Sequence, residues 1–513
     1  MEFVDDDEDD NIDSNIDNDN TTLSTTLPSS HFLSLPRPSS SSLSWTPNPP
    51  PPPSPTPSHA HAPPPPIVDT TTLAAHDFDV DPRTGFMPPH PPLPHLPPSL
   101  EGEHYAEWET TLRVACESRL QLAVDTQGED AERRSEEWRG RVGKLPILSI
   151  TPLLKSEVLL RRGHHVLAWI LHFYIHTYPL HTPSIPIPPP LTLPLLQISH
   201  ELQLPPVLTY SDDVLYNWGL VTPEGGVGKD NLRVLTSFTG TPSESHFYLT
   251  SARIELIGVR ALEVMQSMLD ELFVGDEIAV RRITRYLCEL GEVIGEMERE
   301  LRGMREGCDP KVFFEEIRPW FRGFDSIHPQ RPWVFQGIDG IGLDAPPNPL
   351  PTHLSGPSAG QSSLIHALDI FLGVRHAEGE EEVLRKMRAY MPRHHRRFLG
   401  HLKESTRSLR GLVKGEGNGE GEGGQENEGK MLVEAYNQAV GALRKLRDAH
   451  FGIVARYIIG PAASASASAA NANEGKGEGE GEGSRLKGTG GTDLARFLKS
   501  VRDDTREAVI SSK

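Results

Sequence analysis

The chain has 513 residues and a formal net charge of −21. That length suits two or three domains, and the acidic balance leaves no basic stripe to meet nucleic-acid phosphates. No apolar run is long enough to span a bilayer and no signal peptide is evident. The three cysteines, Cys116, Cys288 and Cys308, show no metal-ligand spacing and fit a reducing compartment, so the expectation is a cytoplasmic protein.

Residues 1–20 carry ten acidic side chains and no basic one. Residues 21–66 are rich in Ser, Thr and Pro, and 23 of the 47 prolines fall in the first 100 residues. Such a stretch cannot bury enough apolar surface to offset its ordering entropy, so residues 1–80 read as a disordered tail. From about Gly85 the composition becomes globular, opening with the proline-stiffened GFMPPHPPLPHLPP. Helical spacing predicts helices over Glu107–Leu122 and Glu157–Tyr178. Residues 185–218 mix breakers with short helices and should wrap one face of a first domain.

Three helical stretches follow. Residues 247–304 predict two or more helices broken near Gly275-Asp276, residues 361–375 and 380–390 a pair, and residues 430–459 one long helix. Strand-like runs are few, so the fold class is mostly α, with a small N-terminal domain at 85–240 and a larger all-α domain at 241–513. Gly/Glu-rich inserts at 414–429 and 463–483 read as flexible loops. KGTGGTDLARFLKSVRDDTREAV then reads as a glycine loop followed by an amphipathic helix.

Four patterns carry possible chemistry. Gly356-Pro357-Ser358-Ala359-Gly360 spells G-x-S-x-G, the nucleophile elbow, which needs a buried strand before the serine. The preceding DAPPNPLPTHLS is too proline-rich for one, so the small residues fit close backbone approach to a bulky ligand, or a plain helix-entry turn. His172 and His176 lie four apart on an apolar helix but lack an intervening glutamate or a third ligand, and read as packing residues. Leu443, Leu446, His450, Ile453 and Tyr457 step by 3, 4, 3 and 4, which puts His450 on an inward stripe. There it is either a hydrogen-bonded core residue or the single axial ligand of a haem iron, with Arg447 one turn earlier able to meet a propionate. In KVFFEEIRPWF, Phe313, Phe314 and Arg318 could grip a molecule with an aromatic end and a carboxylate end.

Nine blocks in order, among them LQLPPVLTYSDDVLYNW, FYLTSARIEL, FFEEIRPW, SGPSAGQSS, LRKLRDAHFGIVARYI and KGTGGTDLARFLKSVR, resemble indoleamine 2,3-dioxygenase from about Gly85 to the C-terminus, the two inserts apart. The resemblance implies a haem b protein that inserts both atoms of O₂ across the indole C2–C3 bond of L-tryptophan to give N-formyl-L-kynurenine. It implies His450 as proximal iron ligand and Phe313 and Phe314 lining the distal pocket. It also implies Arg318 on the substrate carboxylate, and Phe247, Ser251 and Tyr210 completing the indole pocket. Ser358, Ala359 and Gly360 would pass over the haem edge, Arg447 would hold a propionate with Asp369 nearby, and Thr489 would close over the carboxylate. L-tryptophan and O₂ are the implied partners, with no nucleic acid or membrane, and a monomer is expected. Pro357 and Tyr248 depart from the family pattern, where Gly and Phe are common. A non-catalytic O₂-binding or haem-sensing relative is the alternative, disfavoured by the Phe313/Arg318 pair.

Overall fold

The computed structural model describes residues 71–123, 128–326, 331–338, 354–405, 408–415, 424–465 and 493–511. Helices dominate them, as expected. In chain order they are α1 (Ala106–Glu117), α2 (Glu129–Gly143), α3 (Glu157–His176), α4 (Pro189–Leu202), α5 (Pro242–Val274), α6 (Glu277–Gly307), α7 (Ser363–Leu372), α8 (Glu378–Arg388), α9 (Arg393–Glu404), α10 (Gly424–Val454) and α11 (Leu494–Glu507). Two small sheets accompany them. β1 (Ile185–Ile187) pairs in parallel with β4 (Trp333–Phe335), Ile185 opposite Trp333, and β2 (Trp218–Leu220) pairs antiparallel with β3 (Leu232–Val234), Trp218 opposite Val234. Among the described residues, those immediately before Ser358, 354–357, are irregular rather than strand, so the nucleophile-elbow reading finds no support there.

The break between α5 and α6 falls where the sequence places it. Gly275 ends α5 with φ +71°, the left-handed conformation glycine adopts without a Cβ penalty, and the Asp276 side chain caps α6 by accepting from the Ala279 N–H. Three differences stand out. α4 is one helix despite Pro194 in its interior. It opens on Pro189 and Pro190, whose missing N–H groups cost nothing in a first turn, and it buries most of its length. α10 starts at Gly424, so the last residues of the 414–429 stretch are helical. The core also begins earlier than Gly85: Leu73 and Val80 are buried against α5, α6 and α10. Residues 1–70 and most of 463–483 lie outside the described residues.

Two larger apolar cores are present. One gathers α1–α4 with Phe238, Tyr248, Phe313, Trp320, Phe321 and Tyr457. The other gathers α5, α6, α7, α9 and α10 with Leu73 and Phe86. The first joins the N-terminal helices to residues 304–321 and 453–457 of the C-terminal half, and that junction positions the site.

Candidate functional site

Helix α5 supplies one wall. Phe247 meets Phe313 at 5.0 Å and stacks on Phe321 at 5.6 Å, ring centroid to centroid, and Ser251 lies one turn further along. Phe313 and Phe314 open a π-helical turn, Phe313–Ile317, that runs directly into a 3₁₀ turn, Arg318–Phe321. The changes of helical pitch bring Phe313, Phe314 and Arg318 together within six residues. Arg318 is 4% exposed, with its guanidinium carbon 5.9 Å from the Phe314 ring centre. Burial, and secondarily the Arg322 charge, pull its pKa down to about 10. A guanidinium held so deep is still charged at neutral pH and favours a carboxylate partner.

The turn carrying Arg318 is pinned from behind. His172 Nδ1 bonds the Trp320 carbonyl at 2.7 Å and its Nε2 accepts from the Leu208 N–H at 3.3 Å. His176 Nε2 bonds the Arg322 carbonyl at 3.0 Å. Burial keeps both imidazoles neutral. The two histidines are therefore packing residues, and their hydrogen bonds fix the carbonyls on either side of the Phe321 peptide. Sequence spacing alone could not reveal that role, because the carbonyls they hold lie more than 140 positions away.

The loop at 354–362 crosses the chain at 321–323. A Cβ on Gly356 would stand 1.8 Å from the Phe321 carbonyl oxygen, so glycine there serves close approach of backbone to backbone rather than to a ligand. Ser358 Oγ accepts from the Gly360 N–H at 3.3 Å, capping the short 3₁₀ turn Ala359–Gln361. Among the described residues, no histidine is bonded to Ser358 and no base is placed to activate it as a nucleophile. Gln361 holds the loop in place: its Nε2 donates to the Gly356 carbonyl at 2.9 Å, and its Oε1 accepts from the Tyr210 N–H at 2.8 Å.

Tyr210 and Ser362 converge on Glu255 of α5. The Tyr210 hydroxyl donates to Glu255 Oε1 at 3.0 Å and the Ser362 hydroxyl to the same oxygen at 2.7 Å. Burial pushes the Glu255 carboxyl up to about 7 against the lowering effect of these two bonds. Nothing in the sequence singled out Glu255, since an acidic residue on a long helix usually faces water.

His450 lies seven residues before Tyr457, two turns or about 10 Å along the helix. Tyr457 meets Phe313 edge-on at 5.7 Å, which joins this helix to the aromatic wall. Burial, and secondarily Arg447, hold the His450 pKa down to about 4, yet the residue keeps accessible surface. Among the described residues, no hydrogen bond is formed by its imidazole. A neutral imidazole with a free lone pair, deep in the fold, fits an axial position on haem iron, which needs only one such donor from the protein.

One turn back, Arg447 Nη2 is 2.6 Å from both carboxylate oxygens of Asp369, and its other terminal nitrogen bonds the Thr505 hydroxyl. His376 extends the network, with Nε2 3.3 Å from Asp369 and Nδ1 2.9 Å from Asp504 of α11. Burial would raise the Asp369 pKa, but Arg447 and His376 bring it down to about 2. A cation beside the helix face that carries His450 also fits a haem propionate. Sequence reasoning paired Arg447 with Asp369 and missed His376. Thr489 lies outside the described residues.

Residues 74–508 match the family model described as indoleamine 2,3-dioxygenase. The chain is similar to indoleamine 2,3-dioxygenase 1 of Rattus norvegicus, 31% identical over 440 residues that cover 85% of this chain and 95% of the relative. It is similar to the Saccharomyces cerevisiae indoleamine 2,3-dioxygenase at 32% over 454 residues, 83% of this chain and 91% of the relative. Fusarium equiseti fscD, named 6-hydroxytryptophan 2,3-dioxygenase, is 28% identical over 443 residues, 85% of this chain and 98% of the relative.

Proposed function

Because the chain belongs to the indoleamine 2,3-dioxygenase family, we infer that it is a haem-dependent dioxygenase acting on L-tryptophan. The product is N-formyl-L-kynurenine, from insertion of both atoms of O₂ across the indole C2–C3 bond. This reaction opens the kynurenine pathway of tryptophan degradation and feeds NAD biosynthesis. The observation that carries the assignment to this site is the imidazole of His450, held neutral by burial and without a hydrogen bond among the described residues.

Haem, when bound through His450, supplies the activation of O₂. The chain's own residues then bind, orient and exclude water. Arg447 would hold a propionate, with Asp369 keeping its guanidinium in place. Ser358, Ala359 and Gly360 would lie along the porphyrin edge. Arg318 takes the tryptophan carboxylate, and Phe313, Phe314 and Phe247 line the indole pocket. Tyr210 closes the pocket's inner end, tied to Glu255, and the Ser251 hydroxyl has lone pairs free to accept the indole N–H. An electron-rich indole needs no protein base to react. The rate gain comes from placement and a dry site, which is why no acid–base pair is required.

A cytoplasmic, monomeric enzyme is the reading proposed, and no helix among the described residues is long and apolar enough to cross a membrane. The test is haem-loaded protein with L-tryptophan, O₂ and a reductant. Growth of N-formylkynurenine absorbance is expected. A normal haem spectrum with no product would overturn the catalytic reading in favour of a non-catalytic haem protein.

A further inference from the structure

Two adjacent aspartates on the π-helical turn Ser211–Leu215 have opposite fates. Asp212 is fully engaged: it meets His164 Nδ1 at 2.8 Å and accepts from the Thr209 N–H at 2.9 Å and the Thr209 hydroxyl at 2.7 Å. Asp213 is 3% exposed, and its Oδ1 has no hydrogen-bond partner. A buried carboxyl oxygen without a partner costs about 1–3 kcal/mol, and native structures keep few of them.

The surroundings explain why no neighbour satisfies it. Asp213 lies within electrostatic reach of both Tyr210 and Tyr248. Each hydroxyl has one hydrogen, and each is already given away: Tyr210 donates to Glu255 at 3.0 Å and Tyr248 to Glu244 at 3.0 Å. Glu244 is itself filled by the Phe238 and Thr239 N–H groups and the Thr239 hydroxyl. Burial, with Asp212 and Glu244 nearby, pushes the Asp213 pKa well above the usual carboxylate range. A raised pKa favours the protonated acid, which offers an O–H donor beside the unpartnered Oδ1.

The turn that carries it borders the residues assigned to the pocket. The turn packs against α5, which carries Phe247, Tyr248 and Ser251, and Tyr210 at its head is tied through Gln361 to the 356–361 loop. Resting on the function proposed above, we propose that Asp213 is a specificity-determining residue that hydrogen-bonds a hydroxyl on the benzo ring of the substrate, so that the preferred substrate class is a ring-hydroxylated tryptophan. A phenolic O–H donates to the vacant carbonyl oxygen and accepts from the acid O–H, a reciprocal pair that tryptophan itself cannot form.

The test measures kcat/KM of the haem-loaded enzyme for L-tryptophan, 5-hydroxy-L-tryptophan and 6-hydroxy-L-tryptophan, in wild type, Asp213→Val and Asp213→Asn. One hydroxylated isomer should be used at least tenfold better than tryptophan by wild type. Val should lower that ratio by tenfold or more, and Asn should keep part of it. Binding, read as the ligand-induced rise in melting temperature of the same proteins, should follow the same order and needs no turnover. Equal ratios in all three proteins, or a wild-type preference for tryptophan in both readouts, would overturn the proposal while leaving tryptophan dioxygenation intact. Hydroxytryptophan binding that depends on Asp213 without any turnover would support the subsite and sink the catalytic reading instead.

Discussion

Arg447 Nη2 sits 2.6 Å from both carboxylate oxygens of Asp369, and both side chains are nearly buried, at 11% and 8% exposure. The pair joins α10, which carries His450, to α7, which begins where the Gly356–Ser362 loop ends. Removing one partner of a buried pair leaves the other charge uncompensated and costs about 3–5 kcal/mol. Asp369→Ala should therefore lower stability toward urea by that order and loosen haem retention, whereas Asp369→Asn, which keeps the shape and one acceptor, should cost less. Equal loss in both variants would mean that charge is not what holds Arg447.

Two groups should lose stabilisation as pH rises through neutrality, against the opposite trend from buried histidines such as His172 and His450, whose depressed pKa values make them stabilising above about 6.5. Glu255 has a folded pKa of about 7 against an ordinary 4.5. The folded chain keeps a proton there that the unfolded chain releases, so its contribution is best below about 4.5 and is lost as pH rises toward and past 7. A shift of that size corresponds to roughly 3 kcal/mol. His376 is raised above 6.5, the Asp369 and Asp504 carboxylates outweighing burial. Its stabilisation is present below about 6.5 and is lost as pH climbs through the raised value. The change in urea midpoint from pH 5 to pH 8 should be more positive in Glu255→Gln and in His376→Asn than in wild type. Parallel wild-type and variant profiles would show that neither group titrates as described.

His450→Gly should purify without a Soret band, and added imidazole should restore it by entering the space the side chain filled. The control is thermal unfolding, since a stripe position on α10 also serves packing. A full haem complement in the variant without imidazole would remove His450 from the iron.

The chain offers a direct comparison of two truncations. Starting at residue 71 keeps Leu73 and Val80, which are 0% and 2% exposed in the core with α5 and α6, and starting at residue 81 discards them. Burial of such side chains contributes about 1.5–3 kcal/mol each. The shorter form should melt several degrees lower, and the longer should match full-length protein in melting temperature and activity. A large loss on removing residues 1–70 alone would show that the acidic, proline-rich segment contributes to the fold.

Local chemistry explains what was legible in the sequence. The α5/α6 break was visible because Gly275 and Asp276 are turn and cap residues in adjacent positions. His450 was visible because its neighbours step by 3 and 4 along an apolar stripe. Glu255, Gln361, Asp213 and His376 were not, since each acquires its meaning from partners across the fold: Ser362 is 107 positions from Glu255, and Gln361 is 151 from Tyr210. Leu73 and Val80 were hidden by a composition that reads as tail until the helices they pack against are in place. The π-helical turns at 211–215, 313–317 and 455–459 have no simple sequence period, yet all three border the site, where such insertions often occur.

Arg318 decides between a substrate clamp and a structural cation. It is buried beside the aromatic wall, on a turn whose carbonyls at Trp320 and Arg322 are held by His172 and His176. A charge-assisted contact to a carboxylate contributes about 2–3 kcal/mol. Arg318→Leu should weaken tryptophan binding by roughly thirty- to more than hundredfold, at tenfold per 1.4 kcal/mol. Haem content and the spectrum of the CO complex should stay close to wild type, since the wall and His450 are untouched. Lysine should recover only part of the loss, because a point charge lacks the planar fork. His172→Leu supplies the complementary case. It leaves the Arg318 charge in place but frees the Trp320 carbonyl and the Leu208 N–H, so it should raise KM less than Arg318→Leu while lowering the melting temperature more. An unchanged KM in Arg318→Leu, with the melting temperature reduced, would make Arg318 a structural cation and reopen the question of what holds the substrate carboxylate.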